Sequence, residues 1–120
     1  MKKLFFFFTL IINTSFSQSI KKDSLFTIWD NTNLCDSIRL NAIDFIAWNI
    51  FLHNDPDSSL HYAKIQYDFA KNKGYKKWMA TALNTQASSQ FIQSKFKKAL
   101  SLYKKSLSIF NTLNDSKGIA

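Results

Sequence analysis

The sequence matches itself when it is shifted by forty residues, and this internal repeat limits the fold more than any other feature. No gap is needed, and the apolar positions coincide better than the polar ones, as expected of divergent copies of one packing unit. Such a repeat indicates supersecondary units that stack and share a core. The identical pairs are Ala42 with Ala82, Ala47 with Ala87, Phe51 with Phe91, Leu60 with Leu100, Lys64 with Lys104, Lys77 with Lys117 and Ala80 with Ala120.

Each unit predicts a hairpin of two helices. In the second unit, apolar residues recur at helical spacing over about residues 77–92 and again over about residues 96–113. The polar segment 93–95 is the predicted turn between them. Residues 114–116 (Asn-Asp-Ser) are predicted to close the second helix.

The first unit carries clearer helix-end signals. Asp36 is a predicted N-cap for a helix that runs through about Leu52. After a turn, Asp55 is expected to cap a second helix whose first residue is Pro56, where the missing N–H costs nothing. Gly74 is expected to end that helix in the left-handed conformation.

Ahead of these hairpins, residues 20–30 predict a short helix with several apolar side chains, among them Phe26 and Trp29. The terminal unit of a stack exposes its apolar side unless another element covers it. We therefore expect this helix to cover the first hairpin. With only two glycines and one proline, the chain lacks the turn residues of a β-sandwich or barrel, so an all-α fold is predicted.

The first seventeen residues have the pattern of a signal peptide. Two lysines follow Met1, residues 4–12 are apolar except for Thr9, and small residues at 15 and 17 fit cleavage between Ser17 and Gln18. The apolar run is far shorter than the ~20 residues of a membrane-spanning helix. An uncleaved anchor or the start of a buried helix is the alternative. Export to the periplasm is the prediction.

Charge argues against nucleic-acid binding. The net charge is +8, but fifteen of the sixteen basic residues are lysines, and Arg39 is the single arginine. Phosphate recognition favours the bidentate arginine fork, so we expect the lysines to form a solvated face. Cys35 is the single cysteine and therefore has no disulfide partner within the chain; a buried structural thiol is expected.

The second unit resembles a tetratricopeptide repeat. Ala87 and Ala99 stand at the small positions where the two helices cross, and Phe96 and Tyr103 stand at the aromatic positions beside them. The resemblance implies a right-handed solenoid of antiparallel helical hairpins with a period of about forty residues, against the usual ~34. HEAT and armadillo repeats also have periods near forty, but the spacing of small and aromatic residues favours the tetratricopeptide pattern.

The sequence departs from that pattern at several positions. Gln90 stands where a tyrosine is usual, and Ser106 stands where an alanine is usual. In the first unit, Ser59 and Ala63 stand where the small residue and the aromatic ring are expected, so this copy is the weaker one.

More narrowly, residues 36–39, Ala47-Trp48 and residues 54–63 resemble the N-terminal repeats of exported signalling proteins from Bacteroidetes-type bacteria. The resemblance implies a protein–protein interaction or sensory module, the periplasmic part of an inner-membrane protein whose output is a histidine kinase, a nucleotide cyclase or a helix-turn-helix regulator. A free periplasmic scaffold without enzymatic output is the alternative. The implied partner is a protein or peptide, with self-association through the repeats as a second mode; contact with the membrane would come only through sequence beyond Ala120.

These patterns divide the chain into five predicted parts. Residues 117–120 match residues 77–80, the opening of the second hairpin, so we expect a third repeat to begin there and the chain to be a fragment of a longer protein. The predicted parts are the signal peptide 1–17, a capping helix and loop 18–35, repeat one 36–77, repeat two 78–117 and the start of a truncated third repeat 118–120.

The candidate binding surface follows from the family resemblance, in which the first helix of each repeat lines a concave face. Trp48 fits the core and a ligand-facing position equally well. The ten residues implied are Asn41, Asp44, Phe45, Trp48 and Phe51 in the first unit, and Thr81, Asn84, Thr85, Ser88 and Phe91 in the second.

No arrangement of residues predicts catalysis within this chain, and no cofactor or metal is expected. His53 and His61 lie eight residues apart without an acidic cluster and are expected to be ordinary surface or packing residues. A helical bundle or coiled coil remains an alternative to the repeat, because the four-three apolar spacing over residues 96–113 fits both.

Overall fold

A computed structural model describes the backbone of residues 21–119 and the side chains of residues 21–114. All regular structure within that range is helical, which confirms the predicted all-α class. The predicted signal peptide, residues 1–17, lies outside the described residues, as do Ile20 and Ala120.

The helices recur at the predicted interval. Helix α1 covers residues 21–30. Helices α2 and α4 begin at Asp36 and Lys76, and helices α3 and α5 begin at Pro56 and Phe96, so both pairs of starts are forty residues apart. The full bounds are α2 Asp36–Phe45 continuing as a π-helix Ile46–Phe51, α3 Pro56–Lys73, α4 Lys76–Ile92 and α5 Phe96–Ile119.

The ends of α3 follow the sequence signals. The Ser58 N–H donates to Asp55 Oδ1 at 3.2 Å, and Pro56 is the first helical residue, as predicted. Gly74 adopts a φ of 76° and ends the helix, also as predicted. The turn after α4 contains Ser94 at a φ of 63°, a conformation that costs a residue with a side chain more than it costs glycine.

Two expectations at the start of α2 are wrong. Asp36 is the first helical residue, and Cys35 precedes it as the N-cap without a side-chain bond. The Asp36 carboxylate instead accepts a hydrogen bond from the Tyr75 hydroxyl at 2.6 Å. Cys35 is exposed rather than buried, because it lies at the helix end beyond the packed face, and a hydrogen bond with the Ser37 hydroxyl lowers the pKa of its thiol.

Two further expectations concern the extent of helices. The helix predicted from residue 36 through about residue 52 extends to Phe51, as expected, with π-helical hydrogen bonding from Ile46 onward. The turn predicted at residues 114–116 is absent, because α5 continues to Ile119. Asn, Asp and Ser lower helix propensity by only a fraction of a kcal/mol each, about 0.7 at most, so without proline they do not stop a helix.

The helices from α3 onward pack as antiparallel neighbours. Ser89 and Gln86 of α4 donate side-chain hydrogen bonds to the carbonyl oxygens of Pro56 and Ala63 on α3. The order of residues is reversed between the two helices, so they run in opposite directions. Across the next pair, Ser106 of α5 donates to the Ala80 carbonyl at 2.7 Å. Helix α4 therefore lies between α3 and α5.

Small residues allow this close packing. Ala63, Ala87 and Ala99 are at most 1% exposed, which lets neighbouring backbones approach. Ser106 and Ser59 are also buried, and each hydroxyl is satisfied by a backbone carbonyl, of Ala80 and Ala47 respectively. A serine in place of the expected alanine is thus accommodated without an unpaired polar group.

Helix α1 packs on the first hairpin, as expected. The Trp29 ring meets Phe69 of α3 edge-on at 5.3 Å between centroids, and Phe26 meets Tyr62 at 5.2 Å. Arg39 of α2 joins the two elements, since its Nε donates to the Trp29 carbonyl at 2.8 Å. These contacts surround the buried core of the first hairpin, which consists of Leu40, Ile43 and Ile46.

Candidate interaction surface

Four of the five predicted groove residues of the second unit are accessible. Thr81, Asn84 and Ser88 are half-buried along α4, and Phe91 is 56% exposed at its end. Thr85 is different: it is 1% exposed, and its hydroxyl donates to the Thr81 carbonyl within the helix. Because α4 packs on both α3 and α5, a wide arc of its surface is covered, and Thr85 cannot contact a ligand.

Helix α1 restricts the predicted groove of the first unit. The Lys21 ammonium lies 4.5 Å from the centre of the Phe45 ring, and the Lys22 ammonium lies 5.1 Å from that of Phe51. Phe51 also stacks on Tyr62 with an interplanar angle of 15°. Phe45 and Phe51 are therefore half-buried in contacts within the chain, and less of each ring is available to a partner.

The remaining three first-unit residues are placed differently from one another. Asn41 is exposed, and Trp48 is 40% exposed within the π-helical segment, so Trp48 belongs to the surface more than to the core. Asp44 is half-buried and accepts a hydrogen bond from Gln66 Nε2 at 3.2 Å. Burial raises the pKa of Asp44, and the bond from Gln66 opposes that rise.

A second apolar surface lies along α5. Phe96, Leu100 and Leu107 are 57%, 55% and 59% exposed, and Tyr103 and Phe110 beside them are half-buried. These five residues, here named the α5 stripe, follow alternate steps of four and three, so they form one continuous face of the helix. A contiguous row of large apolar side chains, three of them more than half exposed, makes this face a candidate interaction site.

The α5 stripe is continuous with the accessible face of α4. The Ser88 and Tyr103 hydroxyls are 2.9 Å apart and share a hydrogen bond. Phe91 and Phe96 meet edge-on, with ring centroids 5.3 Å apart. The predicted groove of the second unit and the α5 stripe therefore form a single surface, which we call the α4–α5 surface.

Lysines border this surface. Lys97, Leu100 and Lys104 line a shallow cleft of about 430 Å³ on α5. Residues 96–114 contain four lysines and no acidic residue. No lysine of this segment forms an ion pair with another described residue. A partner that carries acidic groups beside an apolar face would match both features.

Within the described part of the chain, no group of three or more histidine, cysteine or acidic side chains could hold a metal ion. His53 and His61 are both exposed, and His61 makes an edge contact with the Tyr62 ring at 5.0 Å. Within the described residues, no helix combines the length and the apolar character that crossing a bilayer requires.

Comparison of the chain with family models, curated proteins and solved structures found no match. Function is therefore inferred from this surface and from the sequence patterns. Sequence reasoning had identified the α4 half of that surface through the family resemblance. The sequence also predicts that, without a C-terminal cap, Leu107 and Phe110 are exposed on the far side of α5, because a terminal repeat has no neighbour there. Leu107 is exposed as expected, whereas Phe110 is half-buried, and the inward face of α5 is built from other residues, including Ala99 and Ser106.

Proposed function

We propose that the chain is a helical-repeat module of the tetratricopeptide type that binds a protein partner through the α4–α5 surface. The observation that carries this proposal is the α5 stripe, in which three large apolar side chains are more than half exposed next to Phe91. Full burial of one such side chain is worth about 1.5–3 kcal/mol. Covering the stripe therefore provides enough free energy for specific binding.

The repeat indicates that an amphipathic helix is the element that covers the stripe. Shifted by forty residues, Phe96, Leu100 and Leu107 correspond to Pro56, Leu60 and Tyr67 of α3. These three α3 residues are all half-buried, and α3 carries helix α4 against it. A helix that resembles α4, from a partner chain or from the third repeat expected to begin at residue 117, would fit the corresponding face of α5 in the same way.

The wider role proposed is that of a sensory or scaffolding segment of an exported signalling protein. It rests on the resemblance of residues 36–63 to the repeats of such proteins and on the signal-peptide pattern of residues 1–17. A free periplasmic scaffold is the second candidate. The reading frame that follows Ala120 separates the two: an apolar run of ~20 residues followed by kinase, cyclase or regulator motifs supports the first. A stop codon soon after one or two further hairpins supports the second.

Site-specific photo-crosslinking tests the binding function. A photoreactive residue in place of Leu100 should give one discrete adduct in cells that express the full chain, and the substitution Leu107→Lys should abolish it. The same residue in place of Lys71, which is exposed on α3, should give none. Equal adducts from both positions, or none from Leu100, would refute the proposal, and an adduct of two identical chains would identify self-association.

A further inference from the structure

Helix α1 lies on the first hairpin in the same way that α3 lies on the second. Lys21 is beside Phe45, and Trp29 is beside Arg39, so α1 and α2 run in opposite directions. The two ring pairs that join α1 to α3 occur in the same order along both helices, so those helices are parallel. Helix α3 is likewise antiparallel to α4 and parallel to α5. Helix α1 therefore occupies on α2 the place that α3 occupies on α4.

Helix α2 is the counterpart of α4 within this chain. It begins forty residues before α4, and Ala42 and Ala47 of α2 match Ala82 and Ala87 of α4. The α5 stripe has the form of a surface that accepts a helix like α4. The face of α2 that would meet such a stripe is the face that α1 covers. The α5 stripe of one copy and the α2 face of a second copy are therefore complementary.

Helix α1 covers the α2 face only in part. An open apolar cleft of about 370 Å³ remains between the two helices. Ile38 on its wall is 47% exposed, whereas Trp78, its counterpart on α4, is half-buried. Phe45 is half-buried in the same cleft, whereas its counterpart Thr85 is 1% exposed. A neighbour that packed more closely on α2 would bury apolar surface that α1 leaves open.

We propose that the face of α2 is a docking surface for the α5 stripe of a second copy of this chain, and that α1 blocks head-to-tail assembly by occupying it. The inference rests on the proposed function, because it uses the same stripe. When α1 leaves α2, the stripe of one copy packs on α2 of the next, as α3 packs on α4 within the chain. The two surfaces differ, so the contact is heterologous and yields open rows of copies rather than closed dimers.

The experiment uses two proteins that each present one of the two surfaces. The chain from Gln18 to Ala120 presents the stripe, while its α2 face is covered. In the released variant, Trp29→Ala removes the ring contact with α3 and Arg39→Ala removes the hydrogen bond to α1. Adding Leu107→Lys to the released variant blocks its own stripe. Mixed in analytical ultracentrifugation, the two proteins should form a complex that contains one copy of each, with a Kd in the micromolar range, while each alone stays monomeric.

Matched variants make the assignment specific. Leu107→Lys in the otherwise unchanged chain should abolish the complex, because neither protein then presents a stripe. The released variant with its stripe intact should form oligomers whose size rises with concentration. Far-UV circular dichroism should show that the released variants keep their helical content. If the double substitution unfolds the chain, Trp29→Ala alone gives a milder release and should give the same complex with a weaker affinity.

Three results would overturn the inference: no complex with a folded released variant, a complex that survives Leu107→Lys in the unchanged chain, or self-association of the released variant that carries Leu107→Lys. The proposed function is tested separately by the crosslinking experiment above. A discrete adduct from Leu100 in the full chain, together with no complex between the two proteins, would overturn this inference and leave the proposed function standing.

Discussion

Arg39 is predicted to be the side chain that holds α1 on the first hairpin. It is half-buried, and its Nε donates to the Trp29 carbonyl at 2.8 Å. The guanidinium carbon also lies 5.0 Å from the centre of the Trp29 ring and 5.1 Å from that of Phe69. Removing this group should therefore loosen the contact between α1 and α3 as well as the contact with α2.

The expected cost can be estimated from these contacts. A hydrogen bond from a charged donor contributes about 1.5–3 kcal/mol. Each cation–π contact at a partly exposed site contributes about 0.5–1 kcal/mol. Since such terms overlap, Arg39→Ala should lower the free energy of unfolding by about 3 kcal/mol. Arg39→Lys retains the charge and part of the ring contact but loses the Nε–H donor, so its cost should be about half as large.

Urea unfolding followed by tryptophan fluorescence measures both values. Lys71→Ala is the matched control, because Lys71 lies 6.0 Å from a single ring, that of Tyr67, and is exposed. It should cost less than about 0.5 kcal/mol. A cost for Arg39→Ala no larger than that of the control, or equal costs for Arg39→Ala and Arg39→Lys, would refute the reasoning.

Three further predictions concern single side chains. Gln90→Met removes the unpaired buried acceptor and should raise the free energy of unfolding by about 1 kcal/mol; a loss of stability in urea unfolding would contradict this. Gly74→Ala should lower the free energy of unfolding by about 1 kcal/mol, because the φ of 76° disfavours a residue with a side chain. Backbone strain is the whole cause, since no atom lies within 4 Å of the added Cβ. An unchanged unfolding midpoint would contradict this prediction. Burial raises the pKa of Asp44, so the stability contributed by its protonated form is complete below the ordinary pKa of about 3.9 and is lost as the pH rises through the raised pKa. Asp44→Asn should flatten this part of the pH–stability curve, and an unaltered slope would show that another group titrates there.

Much of the fold could be predicted because strong local signals agree with the repeat. Asp55 followed by Pro56 defines the beginning of α3, and Gly74 defines its end, since each residue has a specific backbone reason to be there. Apolar periodicity predicts the helices between these points. The starts of α2 and α4, and those of α3 and α5, are forty residues apart, which is the interval of the sequence repeat.

The errors arose where the deciding interaction is tertiary or where the local signal is weak. Nothing in the side-chain pattern of residues 46–51 distinguishes π-helical from α-helical hydrogen bonding, because the two differ by one residue in register. Residues 114–116 contain polar residues but no proline, and α5 passes through them. Cys35 was expected in the core on composition alone, although its position at a helix end exposes it.

The candidate site was only half visible in the sequence for a similar reason. The burial of Thr85 depends on α4 being covered from two sides, which a single-helix pattern does not encode. The exposure of Leu100 depends on which face of α5 meets α4, and that face is determined by the small residues Ala99 and Ser106.

The central claim is that the repeats stack and that the α5 stripe accepts a helix like α4. The most direct test is to supply that helix within the chain. A copy of residues 74–114 joined after Leu113 keeps the forty-residue interval and places the Gly74 turn after α5. Because Phe96, Leu100 and Leu107 are 55–59% exposed, covering them should raise the free energy of unfolding by about 3 kcal/mol, in one cooperative transition. Leu107→Lys in the extended chain should remove most of that gain. Unchanged stability, with the added segment unfolding separately, would contradict the repeat architecture and the function proposed from it.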